Sequence, residues 1–247
     1  MNLEAQLQQT ITDFSRRKAG GGITEIAIHV PDCWALDLSF NIPGQGTYRI
    51  RSLRQDDLES LLRFGTQLGA VSKDFFCPYP WQDEARLRDA FSFAIQQALM
   101  RRTASYLLEH ADLPIGHFFL WAAGGNAHSR EHGIELPELG VAIADAYQGR
   151  GFGGLAVNIL QAMARSLQAD GVELTTALTN ESGWNTYLHA GFKYVGILRI
   201  PLQVDVTAAT AGVVATEQFR DERQMVYIIN AEKREAILRY LAMKRGE

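Results

Sequence analysis

The run Tyr147-Gln148-Gly149-Arg150-Gly151-Phe152-Gly153-Gly154 constrains this chain more than any other stretch. It joins an apolar, strand-like segment, Leu139 to Ala144, to a helix-like one, Leu155 to Leu167. Glycines at a strand-to-helix turn let the backbone come close to a ligand, because no Cβ stands in the way. The first turn of the helix then offers unpaired N–H groups and the positive end of its dipole. Together these features suit an anionic phosphate group.

Several readings of such a loop compete. A Walker A loop ends in Gly-Lys-Ser/Thr, whereas Gly153-Gly154 leads into Leu155, which excludes it. A dinucleotide fingerprint, Gly-x-Gly-x-x-Gly, fits Gly149 to Gly154 formally, and Glu173 stands about 20 residues on. That fingerprint belongs on the first strand of a βαβ unit, and this loop lies past mid-chain. An ordinary tight turn is the plain alternative. The third pattern is Gln-x-x-Gly-x-Gly, met by Gln148, Gly151 and Gly153.

A second pattern lies further on. After a short strand candidate, Val172 to Leu178, come Asn180, Gly183, Tyr187, Gly191 and Phe192 at spacings of three, seven, eleven and twelve from the asparagine. The two patterns, in this order and separated by one helix and one strand, resemble the signatures of the GNAT superfamily of N-acetyltransferases. Gly183 stands where that family usually has Ala, a change that weakens helix propensity by about 1 kcal/mol. The resemblance spans about Tyr48 to Ile229, with the specific motifs between Glu138 and Phe192.

It implies a mixed α/β fold, a GNAT-like acyl-CoA N-acyltransferase sheet whose strands splay at the CoA site. It also implies acetyl-CoA as co-substrate with no metal, and direct transfer of acetyl to a primary amine of a small molecule or protein. A non-catalytic acyl-CoA-binding sensor or scaffold of the same fold is the alternative from another class. In the family's arrangement Tyr187 is the general acid beside the departing sulfur, with a tyrosine merely packed on its helix as the plain reading. Asn180 bonds the pantetheine arm, caps the following helix, or does both. Glu138, on the strand before the loop, is the general base, directly or through a water; a solvated surface carboxylate is the alternative. Glu135 shares its face if the strand extends that far and stands in reserve. Some relatives carry a base at the position of Thr175, which cannot serve. Val141, Ala142 and Ile143 offer backbone groups to the pantetheine amides like an added strand. Gln148, Gly149, Arg150, Gly151, Phe152, Gly153 and Gly154 wrap the pyrophosphate, with Arg150 either adding charge or simply solvated.

Other stretches set limits. At 247 residues, 47% hydrophobic and 21% charged, the chain is globular with a normal core. A net charge of −4 gives no reason to expect nucleic-acid binding. No apolar run reaches the roughly 20 residues needed to span a membrane. The opening Met1-Asn2-Leu3-Glu4-Ala5-Gln6 lacks a signal-peptide pattern, and the two cysteines, Cys33 and Cys77, suit a reducing cytosol, so a cytoplasmic location is expected.

Residues 1–46 read as an extension, with a helix at Leu3 to Lys18, a break at Gly20-Gly21-Gly22, and strands at Ile23 to Val30 and Trp34 to Asn41. This extension packs on the core or on a partner subunit, so a homodimer is one use for it. The acetyltransferase domain is expected over 47–247. It holds a strand at Tyr48 to Leu53, a helix capped by Asp56-Asp57 and running to about Leu68, and a helix from Asp83 to Arg102. A hairpin follows around Asp112-Leu113-Pro114, then the strand Leu136 to Ala144. Tyr194 to Ile200 and Met225 to Ile229 are the closing strands. Asp205 to Thr216 is a hairpin or a flap, and Glu232 to Lys244 is a terminal helix. His128-Ser129-Arg130-Glu131-His132 matches a zinc-peptidase pattern that needs a long helix, and its glycine-flanked setting between strands argues for a polar loop. His117 and His189 read as structural. The aromatic segment Phe75 to Trp81 is either an acceptor wall or a loop pinned to the core.

Overall fold

Among the described residues, alternating apolar residues build nine strands: β1 (Thr24–Asp32), β2 (Ala35–Ile42), β3 (Gly46–Ser52), β4 (Thr103–His110), β5 (Leu113–Trp121), β6 (Glu138–Ile143), β7 (Gly171–Ala177), β8 (Lys193–Pro201) and β9 (Phe219–Ile228). In the computed structural model, which describes residues 2–18, 22–76, 79–121, 127–201 and 219–247, they form one sheet in the order β1-β2-β3-β4-β5-β6-β7-β9-β8. The helices are α1 (Leu3–Lys18), α2 (Leu58–Thr66), α3 (Ala70–Phe75), α4 (Glu84–Leu99), α5 (Ala127–Glu131), α6 (Phe152–Ser166), α7 (Glu181–His189) and α8 (Arg234–Arg245). The mixed α/β expectation is borne out. Gly20, Gly21, Cys77, Pro78, Gly124, Gly125, Asn126 and the 205–216 segment lie outside the described residues.

Every neighbouring pair in the sheet is antiparallel except β6 and β7. Those two run parallel and share one register pair, Glu138 with Glu173, among the described residues. Beyond that rung they part. The far edge of β6 is then free of β7, while its near edge stays paired to β5 from Trp121↔Glu138 to Gly116↔Ile143. A strand edge without a partner offers N–H and C=O groups to whatever enters beside it.

Helix α6 is buried almost all round, from Phe152, Leu155 and Ala156 to Met163 and Ala164. A helix with no polar face needs cover on every side. The sheet supplies one side and α1 another, through Leu7, Ile11 and Phe14 at spacings of four and three. Phe14 meets Phe152 with ring centroids 5.4 Å apart. The N-terminal segment thus builds on the same core as the rest, and its strands β1 and β2 extend the sheet beyond β3.

Asp57 precedes α2 as the sequence suggested, yet its carboxylate caps nothing. It binds both terminal nitrogens of the buried Arg51 at 2.7 Å and the backbone N–H of Arg54 at 2.6 Å. Glu109 accepts from the same guanidinium at 2.6 Å. A buried cation without carboxylates costs far more than a missing cap, so the pair takes precedence. Asp83, by contrast, caps α4 through Arg86 N at 3.1 Å.

Candidate active site

The glycine run folds as a short 3-10 turn, Asp145–Tyr147, followed by the left-handed Gly149 and Gly151 at φ of 72° and 92°. Gly151 is the N-cap of α6, so the N–H groups of Phe152, Gly153 and Gly154 open the helix toward solvent. The loop is tied down at each end. The Tyr147 hydroxyl donates to Nδ1 of His110 at 2.8 Å, while His110 Nε2–H donates to Gln45 O at 2.6 Å. Gln148 Nε2 donates to Ile143 O at 3.0 Å and to Ser72 Oγ at 3.0 Å. Asp145 holds Gly69 N at 3.0 Å and Ser72 Oγ at 2.6 Å, linking the loop to α3. A phosphate cradle fixed in this way needs little reordering on binding.

A cleft of about 980 Å³ runs from this loop into the gap between β6 and β7. Its walls include Val141, Ala142 and Ile143, the loop residues Gln148, Gly149, Gly151, Gly153 and Gly154, and Asn180 and Tyr187 on the opposite side. Glu138 lies in the same cleft, at the rung where the strands separate. The structure therefore brings most of the residues singled out in the sequence to one place. Two stand apart. The guanidinium of Arg150 lies over the Tyr147 ring, 5.0 Å from its centroid, and outside the cleft wall. The Phe152 side chain is buried against Phe14 and Tyr48, leaving only its backbone near the loop.

Asn180 caps α7, accepting from Gly183 N at 2.9 Å, and its amide donates to Thr176 Oγ1 at 3.1 Å. A Cβ on Gly183 would sit 2.5 Å from that amide nitrogen, so the Gly in place of Ala matches this tight cap. Tyr187 is buried, and its ring meets Phe192 edge-on at 6.0 Å. Burial, joined by the charge of Glu222, pushes its phenol up to about 12. The group stays protonated across the neutral range and can give a proton to a thiolate.

Burial also pushes the Glu138 carboxyl up, to about 7; the charges of Glu173 and Glu222 add to this and Lys244 opposes it. A carboxylate so poised takes a proton readily near neutrality. Glu135 does not share the cleft: it precedes β6 and pairs with Arg130 at 2.9 Å. Thr175 lines the cleft but carries no base. Three further charged residues act on Glu138: Glu173 on β7, which the sequence offered only as the acidic partner of a dinucleotide loop, and Glu222 on β9 and Lys244 on α8, which it did not single out. The first two are buried, and Lys244 Nζ meets Glu173 Oε2 at 2.8 Å. The available signal was a glutamate inside an otherwise apolar strand, Gly171-Val172-Glu173-Leu174.

Other candidates resolve into structural roles. His117 is fully buried, its Nδ1–H donating to Tyr106 O at 3.2 Å and its Nε2 accepting from the Tyr79 hydroxyl at 2.9 Å. Burial lowers it to about 4, so it stays neutral. His189 folds back on its own helix, bonding Asn185 O at 2.6 Å. His128 and His132 sit on and just after the five-residue α5, with rings 5.1 Å apart and both against Tyr240. The aromatic segment divides. Tyr79 packs inward on Phe91 at 4.6 Å, while Phe75 and Phe76 face the cleft.

Residues 48–193, more than half of the chain, match the family model of the acetyltransferase (GNAT) domain. The chain belongs to the GNAT acetyltransferases. It is an acyltransferase by that membership, and GNAT enzymes use acetyl-CoA. Among solved structures, the GNAT-family acetyltransferase of Streptococcus pneumoniae is 17% identical, with 74% of this chain and 99% of that one covered and a TM-score of 0.54. RimL, a ribosomal L7/L12 alpha-N-protein acetyltransferase, is 12% identical over 83% of this chain and 96% of its own, with a TM-score of 0.56. Mycobacterium smegmatis RimJ, solved in complex with a CoA-disulfide, is 17% identical over 92% of this chain and 97% of its own, with a TM-score of 0.51. Likeness at these identities speaks for the fold. A search of curated proteins gives no significant match. Among the described residues, no helix is long and apolar enough to cross a membrane.

Proposed function

We propose that this GNAT enzyme transfers acetyl from acetyl-CoA to a primary amine by direct attack, the acceptor being the α-amine of a protein or peptide. The observation that carries this reading is that Glu138 and Tyr187 line one cleft, with Glu138 at the rung where β6 and β7 separate. The pyrophosphate lies on the glycine loop and the start of α6, with the pantetheine arm along the free edge of β6 and beside Asn180. Glu138, directly or through a water, takes a proton from the amine, whose nitrogen attacks the thioester carbonyl carbon. A backbone N–H of β6 holds the oxygen of the tetrahedral adduct. Collapse breaks the carbon–sulfur bond, and the thiolate takes its proton from Tyr187.

The acceptor assignment rests on two supports. Val71, Phe75, Phe76, Leu198 and Ile200 extend the cleft past Glu138 as an apolar wall that fits the first side chains of a peptide. RimL, similar in fold, is described as an alpha-N-protein acetyltransferase. Residues 1–46 act as an extension of the 47–247 acetyltransferase domain, in a cytosolic setting. Acetyl-CoA turnover against peptides with free or blocked α-amines, beside small amines, tests the proposal. Release of CoA that requires a free peptide α-amine supports it; turnover confined to small amines removes the peptide acceptor.

A further inference from the structure

Three carboxylates, two of them lining the cleft, gather on one face of the sheet. Register places Glu138 beside Glu173, Glu173 opposite Val226, Thr175 opposite Gln224, and Ala177 opposite Glu222. With side chains alternating along each strand, Glu138, Glu173, Gln224 and Glu222 point the same way. Glu173 and Glu222 are buried. Like charges this close cannot all remain unpaired in a desolvated site.

Two of the three have cations. Glu222 binds Arg220, which is itself held to Asp74 O at 3.0 Å. Glu173 binds Lys244 Nζ at 2.8 Å and Gln224 Nε2 at 3.5 Å, and Arg245 steadies that glutamine through its Oε1 at 2.8 Å. Glu138 has no ion pair or side-chain hydrogen bond among the described residues. Lys244 lies on α8, beyond the family-matched residues 48–193, and reaches the cleft wall itself.

We propose that Lys244 is a positioning residue for acetyl transfer: by engaging Glu173 it divides the two facing carboxylates into one paired and one free, and leaves Glu138 to meet the acceptor amine. This rests on the reading of Glu138 as base. The groups facing Glu138 are Glu173 from β7, Glu222 with its Arg220 from β9, and Lys244 and Tyr240 from α8. Removing the lysine leaves Glu173 as an uncompensated neighbour and makes Glu138 harder to ionise. Removing the Glu173 charge does the reverse. The lysine's contribution is electrostatic, so an arginine in its place keeps it.

The test measures kcat/KM against pH for full-length Lys244→Met, Lys244→Arg, Glu173→Gln and the Lys244→Met/Glu173→Gln double variant. Alongside, the Glu138 carboxyl is titrated by carbon NMR of labelled glutamate, assigned with Glu138→Gln. Lys244→Met is expected to move the acid limb up by about one pH unit, an approximately tenfold loss at pH values below the limb. Glu173→Gln moves it down, Lys244→Arg restores it, and the double variant returns near wild type. Shifts of the same sign in both single variants, or none in either, overturn the proposal, because a helix pin would cost stability without opposite displacements. Should Lys244→Met not fold, the double variant against Glu173→Gln reads the same relationship. If Glu138→Gln keeps full activity, the base assignment falls, and the NMR titration still decides whether Lys244 governs the Glu138 carboxyl.

Discussion

Glu138 and Glu173 face each other across the one rung that joins β6 to β7 among the described residues. The same rung marks the end of the paired sheet and the start of the cofactor cleft, so the strand edge and the candidate base are set by a single feature. Burial and the neighbouring glutamate both raise the Glu138 carboxyl.

Glu138→Gln is expected to lower kcat/KM by about 10²–10⁴-fold near neutral pH while leaving CoA affinity unchanged. It should also stabilise the protein. The carboxyl titrates at 4.5 when unperturbed and about 7 when folded, so the wild type loses stability as pH rises through that window. The gain for the glutamine variant is about 1–3 kcal/mol above pH 7, at the lower end because Glu138 touches the cleft, and it vanishes below the unperturbed value. Thermal unfolding of both proteins at pH 4 and pH 8 checks this.

Tyr187→Phe keeps the ring contact with Phe192 and removes only the proton donor. An approximately 10- to 100-fold fall in kcat is expected with little change in KM for acetyl-CoA. Thioesters with better leaving groups should recover part of the loss, a pattern that loss of packing would not produce.

Gly151→Ala forces a Cβ onto a residue at φ of 92°. The strain is about 1–2 kcal/mol, and it falls on the turn that presents the first N–H groups of α6. An approximately tenfold rise in the Kd for CoA, read by titration calorimetry, is the expected result.

Arg51→Met leaves the buried Asp57 and the part-buried Glu109 without their cation. A loss of about 3–5 kcal/mol in stability is expected from denaturant unfolding. Arg51 lies away from the cleft wall, so molecules that remain folded should keep wild-type kcat.

Much of the fold was legible in the chain because local chemistry and tertiary demand agree. The Leu7, Ile11 and Phe14 stripe marks α1, and Asp83 caps α4. The glycine run and the Asn180 to Phe192 pattern placed the cleft because its backbone conformation and its cap demand particular residues close together in sequence. The short helix α3 was missed, since one turn and a half leaves no periodic stripe to read. Asp57 was read as a cap because its distant partners, Arg51 on β3 and Glu109 on β4, meet it only in the folded sheet. Glu222 and Lys244 escaped for the same reason: β9 joins the site by pairing with β7, and α8 by the reach of Lys244 to Glu173, neither of which local spacing reveals.

The role of Glu138 as base is tested most directly by the rate of amine-dependent CoA release by the wild-type enzyme across pH 5–9, with CoA affinity measured over the same range. Release is expected to climb through about pH 7, where the Glu138 carboxyl ionises, while affinity stays flat. Tight CoA binding with no amine-dependent release at any pH would contradict that role.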